Sequence, residues 1–134
     1  MVDTTVLISG MLRSPSKPRE VLNIIRDKHV LLISEQLALE WQAVIHRPKF
    51  DKYLTLSERL ELLAVLLGVT EEVQINIQIN ACRDANDNHI LELGICGQAD
   101  CIVSSDGDLL TLDPYQGLSI YSVDRFISAS SSEL

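Results

Sequence analysis

Aromatic side chains are scarce in this chain, where Phe, Tyr and Trp together make up 4% of the sequence. A protein that holds nucleic-acid bases by stacking needs such rings along its binding surface. Hydrophobic residues as a whole reach 46%, which is ordinary for a globular protein, so the core must be mainly aliphatic. The composition therefore argues against an aromatic stacking platform for bases.

Basic residues are also in short supply: 11 Lys and Arg stand against 19 Asp and Glu, which gives a net charge of -8. Proteins that bind nucleic acid through charge alone are basic. This chain therefore either binds no nucleic acid, or needs a metal ion and a local basic strip to overcome its overall sign. An acidic surface also suits a basic protein partner.

The three cysteines, Cys82, Cys96 and Cys101, form no C-x-x-C pair. A zinc site built from them with His89 would have a spacing that matches no common zinc finger, so reduced thiols are the favoured interpretation. The amino terminus lacks a basic leader region, and no apolar run approaches the ~20 residues needed to cross a bilayer. We therefore expect a soluble, cytoplasmic protein with no membrane partner.

The length of 134 residues suits one domain, which we place at residues 1–128, followed by a frayed tail at 129–134. Apolar or alternating runs predict strands at 29–34, 71–79, 100–105 and 117–123. Helical periodicity and capping signals predict helices from Pro18 onward, in 34–50 with an end near Pro48, in 54–69 with Ser57 as N-cap and an end near Gly68, in 84–98 with an end at Gly97, and through Phe126 and Ile127.

Strands that alternate with helices imply a parallel, doubly wound sheet. We predict an α/β fold of three layers, α/β/α, around a mostly parallel central sheet. Only Met1 and Val2 precede Asp3, so we expect a clipped first strand and a weakened sheet edge, with a misplaced start codon as the alternative. In such folds the functional site lies beyond the carboxyl ends of the strands.

Five acidic residues lie where this fold would place a site. Asp3, Asp106 and Asp108 come where apolar strands end. Glu40 lies at the edge of the apolar stripe of its helix, and Asp87 is in register with the core-facing positions of the next helix. Burying a carboxylate costs several kcal/mol unless something neutralises it, so these positions need an explanation.

Each acid also has a purely structural explanation. Asp84 and Asp87 fit a helix cap with its first-turn companion, and Asp106 or Asp108 fits another cap. A calcium loop starting at Asp106 fails, because it lacks the required glycine and glutamate. The acids would be unrelated to function only if all of these structural explanations held at once. Their occurrence together therefore favours a functional site. Carboxylates in a cluster bind Mg²⁺ or Mn²⁺, which positions a phosphate and lowers the pKa of a bound water.

Four segments carry a recognisable pattern in their order and spacing: DTTVLISGML (3–12), SEQLALEWQAVIHRPKF (34–50), CRDANDNHILELGICGQADCIVSSDGDLL (82–110) and SIYSVDRFI (119–127). In these segments the chain resembles the PIN domain, specifically the toxins of bacterial and archaeal toxin–antitoxin systems. The resemblance implies a nuclease fold with a parallel sheet and an acidic pocket for Mg²⁺ or Mn²⁺. It assigns that pocket to Asp3, Glu40, Asp87 and Asp106, with Asp84 and Asp108 as helpers.

Thr5 departs from the family pattern, since it stands where Asn or Ser is usual and so keeps a hydroxyl but loses an amide. His46 and His89 have no acid or serine at a triad-like spacing, and we interpret both as non-catalytic. Binding of substrate phosphates would need a strip of basic side chains. The structural alternative is that basic side chains in loops are usually just solvated. The strip would comprise Arg13, Lys17, Arg19, Arg47 and Lys49, and we expect substrate contacts from Thr5, Arg13, Arg47 and Lys49.

Two functions follow from these patterns. The first is an Mg²⁺- or Mn²⁺-dependent endoribonuclease that cleaves RNA with metal-activated water and has a basic antitoxin as its partner. The alternative is a non-catalytic PIN-like binding or scaffold module whose acids are helix caps. The sequence leaves open whether DNA is also cut and whether the chain forms a homodimer.

Overall fold

The computed structural model describes residues 1–132, which form helices on both sides of short parallel strands. The strands are β1 Leu31–Ile33, β2 Thr70–Glu72, β3 Cys101–Val103 and β4 Ser119–Tyr121. The α-helices are α1 Thr4–Leu12, α2 Lys17–Lys28, α3 Glu35–Ile45, α4 Leu56–Leu67, α5 Asn88–Cys96, α6 Gly107–Leu110 and α7 Val123–Ser132. Short 3₁₀ turns cover Pro48–Phe50 and Ala85–Asp87.

The named strands pair in parallel, β1 with β2 and β3 with β4, as two small sheets of two strands each. The start of the chain adds to the second sheet. The N–H of Val103 donates to the Met1 carbonyl at 2.8 Å, and the N–H of Asp3 donates to the Val103 carbonyl at 3.1 Å. The α/β class and the parallel pairing are confirmed, while the expected single sheet is divided in two.

The core is aliphatic, as the composition requires, and Trp41 is its one fully buried large aromatic side chain among the described residues. The α5 helix packs closely on β3 because Gly94 has no side chain. A Cβ at Gly94 would lie 2.6 Å from Leu118 Cδ2 and 3.2 Å from Ile102 Cδ1. This close packing fixes the height of α5 above the sheet, and with it the acidic turn that leads into the helix.

The predicted strand at 71–79 is wrong beyond Glu72, where the regular ladder ends. The chain instead continues along α5, and side chains of that helix take the place of a partner strand. Glu92 accepts a hydrogen bond from the N–H of Ile79 at 2.9 Å, and Asn88 accepts from the N–H of Cys82 at 2.8 Å. The alternating pattern therefore predicted a strand where the chain is held by hydrogen bonds to helix side chains.

Three helix boundaries also differ from prediction. The N-cap of α4 is Thr55, which forms a reciprocal capping box with Glu58, so the assignment of that role to Ser57 is wrong. The helix predicted to end near Pro48 ends at Ile45, and a 3₁₀ turn follows at Pro48–Phe50. The predicted frayed tail is helical through Ser132, and residues 133–134 lie outside the described residues.

Arg59 is buried and fixes the connection between α3 and α4. Its Nε donates to the Ile45 carbonyl at 2.9 Å, and its guanidinium also donates to the Leu54 carbonyl at 2.6 Å and to Asp51 Oδ1 at 3.0 Å. A buried arginine is tolerated because its donors are satisfied in this way. The loop that carries Arg47 is therefore closed at its base by hydrogen bonds.

Candidate active site

Asp3 lies at the end of the first strand, where α1 begins, and its side chain is 6% exposed. Oδ1 accepts a hydrogen bond from the N–H of Val6 at 3.0 Å, which makes Asp3 the N-cap of α1. Oδ2 accepts a short hydrogen bond from the hydroxyl of Ser104. Both carboxylate oxygens are therefore engaged, and the second one faces the end of β3.

Ser104 links Asp3 to Asp106. Its side chain is fully buried, and its Oγ accepts the N–H of Asp106 at 3.0 Å while its hydroxyl donates to Asp3. Asp106 in turn caps the short α6, with Oδ1 accepting from the N–H of Asp108 at 2.9 Å. One hydroxyl thus holds two acids at the carboxyl ends of two adjacent strands.

Asp87 completes the cluster from α5. It occupies the N-cap position of that helix, yet its side chain makes no capping hydrogen bond. Its carboxyl group instead interacts with that of Asp106, and this interaction helps to raise the pKa of Asp87. The Asp87–Asp106 pair is therefore a place where two negative charges compete.

The acids perturb one another's protonation. Partial burial, the hydrogen bond with Asp106 and the negative charges of Asp106, Asp84 and Asp3 together raise the pKa of Asp87 to about 6. Burial also raises the pKa of Asp3, aided by the charge of Asp106 and opposed by the hydrogen bonds from Ser104 and Val6. Holding these groups as carboxylates at neutral pH therefore costs free energy.

The capping and functional explanations turn out to be compatible at most positions. Asp3, Asp84 and Asp106 each accept a capping hydrogen bond, at the starts of α1, the Ala85–Asp87 turn and α6. Asp87 caps nothing with its side chain. Capping therefore explains where three of the acids lie, but leaves the inward carboxyl group of Asp87 without a structural role.

The loop before α5 brings two further residues close to these acids. Asn88 holds this loop by accepting hydrogen bonds from the N–H groups of Ala81 and Cys82. Burial is the largest cause that raises the pKa of the Cys82 thiol, and the charges of four acids add to it. Those four are Asp87, Asp106, Asp84 and Asp108, so the helper acids also lie within electrostatic reach of the site.

Glu40, on α3, contacts a histidine of α5 and none of the other predicted acids. Its Oε2 lies 3.4 Å from Nε2 of His89, which is mostly buried on α5, two residues after Asp87. The structure therefore places Glu40 against His89, and the close acid contacts described above are made by Asp3, Asp87 and Asp106. The interpretation of His89 as non-catalytic stays a prediction, but His89 does position a candidate site residue.

The acid set fits a hard divalent cation in its donor chemistry, since it offers several carboxylate oxygens whose charges repel. Two buried polar atoms beside the acids, Thr4 Oγ1 and His89 Nδ1, have no hydrogen-bond partner among the described residues. Within residues 1–132, no three His, Cys, Asp or Glu side chains are already gathered as a metal-binding group. The acids therefore match a divalent cation in their charge and in the type of ligand atom that they offer.

The predicted basic strip is only partly free to contact a substrate. Lys17 donates to Asp124 on α7 at 2.7 Å, and Arg19 donates to the Gly10 and Met11 carbonyls at the end of α1. Both therefore have partners within the fold. The four predicted substrate contacts are all exposed: Thr5, Arg13, Arg47 and Lys49.

Ser104 is the site residue that the sequence interpretation missed. A signal was present, because Ser104 directly follows the last residue of an apolar strand and lies two residues before Asp106. A hydroxyl at the end of a buried strand, next to an acid, suggests a hydrogen-bonded pair. What the sequence alone did not reveal is that its acceptor is Asp3, more than a hundred positions away.

We expect the stability difference between Asp87→Asn and wild type to change with pH. The pKa of Asp87 is about 6 in the folded protein, above its ordinary value. The stability that Asp87 contributes to the fold is therefore fully present at low pH and is lost as the pH rises through about 6. In metal-free buffer, the Tm of Asp87→Asn should therefore rise relative to wild type between pH 4 and pH 7.

Asp113 provides the matched control, because the hydrogen bond from Ile120 and the charge of Arg125 lower its pKa. The stability that Asp113 contributes is present above its unfolded pKa and is lost as the pH falls. The Tm of Asp113→Asn should therefore fall relative to that of wild type as the pH rises. A pH-independent difference for Asp87→Asn would show that Asp87 ionises as it does in water.

Comparison with protein families matches residues 1–108 to a family described as PIN domain. That range includes the six acids of the predicted site. Neither the curated proteins nor the solved structures gave a match. Among the described residues, no helix is long and apolar enough to cross a membrane.

Proposed function

The chain belongs to the PIN-domain family, whose members have a nuclease-type fold and typically use divalent metals, and on that basis we propose that it is a metal-dependent endoribonuclease. The observation that carries the proposal is the Asp87–Asp106 carboxyl pair beside the buried Asp3. A fold gains no stability from carboxyl groups held this close together. A cation binding at the acids relieves their repulsion.

The ligand set that we propose is Asp3, Asp87 and Asp106, with Glu40 entering beside His89. Mg²⁺ or Mn²⁺ at these acids supplies water activation and charge neutralisation for phosphodiester hydrolysis. Asp3 and Asp106 are held in place by backbone N–H groups and by Ser104. Asp87 makes no capping bond, so it can change partner without unravelling a helix.

The substrate that we propose is single-stranded RNA, approached through its phosphates. The exposed Arg13, Arg47 and Lys49 offer positive charge, and Thr5 offers a hydroxyl. With a net charge of -8, attraction to the phosphates must be local. This arrangement makes both the cation and the exposed basic residues necessary for binding.

We also propose that a basic antitoxin regulates the protein in a toxin–antitoxin pair. An Arg or Lys of such a partner entering among the acids would pair with carboxylates that otherwise repel one another. Its binding should weaken as salt is raised, because opposite charges steer the association. Binding that leaves the acids accessible to a soluble cation would argue against this route of inhibition.

A second candidate function is a non-catalytic binding or scaffold module. The observation that favours it is the contact between Glu40 and His89, which engages one expected ligand, together with the absence of a gathered metal group in residues 1–132. Under this alternative the capping roles of Asp3 and Asp106 would be their whole purpose. Asp87 would still lack an explanation.

Incubation of purified protein with end-labelled single-stranded RNA separates the two candidates. We expect cleavage with Mg²⁺ or Mn²⁺, none with EDTA, and products with 5′-phosphate and 3′-hydroxyl ends, because the attacking group is water. The Asp87→Asn protein is the control for contaminating nuclease and should be inactive. Cyclic 2′,3′-phosphate products would contradict the mechanism, and an inactive wild type would favour the scaffold.

A further inference from the structure

The segment that follows β2 directs its backbone groups to two sides in turn. Residues 73–81 contain no helix, turn or bend, so the chain runs on from β2 in one direction. The carbonyl of Val69 and the N–H of Val73 are hydrogen-bonded to β1. Further along, the N–H groups of Ile79 and Ala81 donate to side chains of α5. Up to Ala81, these inward groups all belong to odd-numbered residues, which is the two-residue period of an extended chain.

The even-numbered residues leave the opposite side unpaired, and we call their backbone groups the outer edge. The residues of the outer edge are all exposed: Gln74, Asn76, Gln78 and Asn80. Within residues 1–132, none of their backbone N–H or carbonyl groups has a hydrogen-bond partner in the protein. An unpaired strand edge is a template for another chain, and proteins usually protect it with charged side chains or proline. Residues 73–82 contain neither, so the outer edge is open to a partner.

The segment is complementary to itself in side-chain type. The sequence QINIQIN (74–80) has the same order of amides and isoleucines in both directions from its centre at Ile77. A two-fold axis at Ile77 sets every amide opposite an amide of a second copy, and every isoleucine opposite an isoleucine. Matched cross-strand pairs stabilise antiparallel strands, and a two-fold interface needs one surface that fits itself.

The charges at the two ends of the segment are complementary as well. Glu71 precedes the segment and Arg83 follows it, each equally far from Ile77 along the chain, and both are exposed. An antiparallel partner brings Glu71 of one copy towards Arg83 of the other copy at both ends. Two copies with a net charge of -8 repel one another overall, but here uncharged chain meets in the middle and opposite charges meet at the ends.

We propose that the outer edge is a dimer interface, at which two copies pair as antiparallel strands about a two-fold axis at Ile77. Asn76 of one copy and Gln78 of the other exchange backbone hydrogen bonds, as do Gln74 and Asn80, because these residues face outward. The two Ile77 side chains meet at the axis, in the pair without hydrogen bonds, where opposite side chains lie closest. Ile77 is 40% exposed in the single copy and becomes covered. The occupant is a second copy because the segment matches itself in side-chain type and in charge.

The experiment uses two variants, Ile77→Glu and Ile77→Lys, because residue 77 faces its own copy. Sedimentation of wild type over a range of concentrations should show a monomer–dimer equilibrium. Each variant alone should dimerise with a Kd weaker by roughly tenfold or more, since like charges would meet at the axis. An equimolar mixture of the two should recover a dimer, because opposite charges then meet. Leu60→Glu is the matched control, since Leu60 is also 40% exposed but lies on α4, and it should leave the dimer unchanged.

Amide exchange tests the direction of pairing. In the wild-type dimer, the N–H groups of Asn76 and Gln78 should exchange roughly tenfold more slowly than in Ile77→Glu, while those of Ile75 and Ile77 should change little. Three results would each overturn the proposal: a wild type that stays monomeric at about 1 mM, a dimer that survives in both variants or is not recovered by mixing them, or equal protection of odd and even residues. No readout requires RNA or a metal, so the result is independent of the proposed nuclease function.

Discussion

Replacing Asp106 by asparagine should reduce RNA cleavage by more than the roughly 10–100-fold that the loss of an outer metal-ligand partner costs. Asp106 contacts Asp87, is linked to Asp3 through Ser104, and caps α6. Asparagine keeps an oxygen for the cap but removes the negative charge. Initial rates of cleavage at saturating Mg²⁺ measure the effect, and losses of similar size are expected for Asp3→Asn, Asp87→Asn and Glu40→Gln.

Two acids away from the cluster provide the controls. Asp100 is exposed near the opposite ends of the strands, and Glu58 is exposed in the capping box of α4. Asp100→Asn and Glu58→Gln should leave cleavage nearly unchanged, since glutamine also completes a capping box. Ser104→Ala should give an intermediate loss, because it releases two acids without removing either. Equal losses of cleavage activity in the variants of the acidic site and in the control variants would contradict the assignment of the site.

Metal-free Asp3→Asn should melt at a higher temperature than wild type. Burial and the charge of Asp106 raise the pKa of Asp3, so its carboxylate is costly at neutral pH. Asparagine caps helices as well as aspartate does, so the hydrogen bond to the N–H of Val6 is kept. Added Mg²⁺ should stabilise wild type by RT ln(1 + [L]/Kd), roughly 2.7 kcal/mol at a hundredfold excess over Kd, and the variant by less.

The Asp3→Ala variant separates the effect of the capping hydrogen bond on stability from the effect of the negative charge. It also removes the charge but loses the hydrogen bond to Val6, and should therefore be less stable than Asp3→Asn by about 1 kcal/mol. Thermal melts of the three proteins, each with EDTA and with Mg²⁺, give the comparison. An Asp3→Asn protein that is less stable than wild type in EDTA, with an equal response to Mg²⁺, would make Asp3 a structural residue only.

The sequence predicted the helices and strands well where one local signal decided the structure. α2 begins at Lys17, one residue before Pro18, and Gly97 is the C-cap of α5, where the end of this helix was expected. At Val73–Ile79 the alternation predicted a strand that is absent, because this segment is hydrogen-bonded to α5, which periodicity cannot reveal. Ser57 was a plausible cap, but Thr55 forms the box with Glu58 because it lies three residues before it.

The positions of the acids were predictable where acids follow strands, because parallel strands bring their carboxyl ends to one edge. Asp3 and Asp106 meet there, and helical register correctly turned Asp87 toward them. The role of Ser104 depended on the pairing of Met1–Asp3 with β3, a contact between distant parts of the chain. The contact of Glu40 with His89 depends on side-chain packing between two helices, for which the sequence carries no local signal.

The central claim is that Asp3, Asp87 and Asp106 together form a cation site. Calorimetric titration of the metal-free protein with Mn²⁺ at pH 6, in two buffers of different ionisation enthalpy, tests it most directly. Wild type should show one saturable site with release of protons, because the pKa of Asp87 is raised to about 6 and the cation displaces the proton that Asp87 carries in part at this pH. Asp106→Asn should lose the site, while Glu58→Gln keeps it. No saturable binding to wild type, or equal binding to Asp106→Asn, would contradict the account.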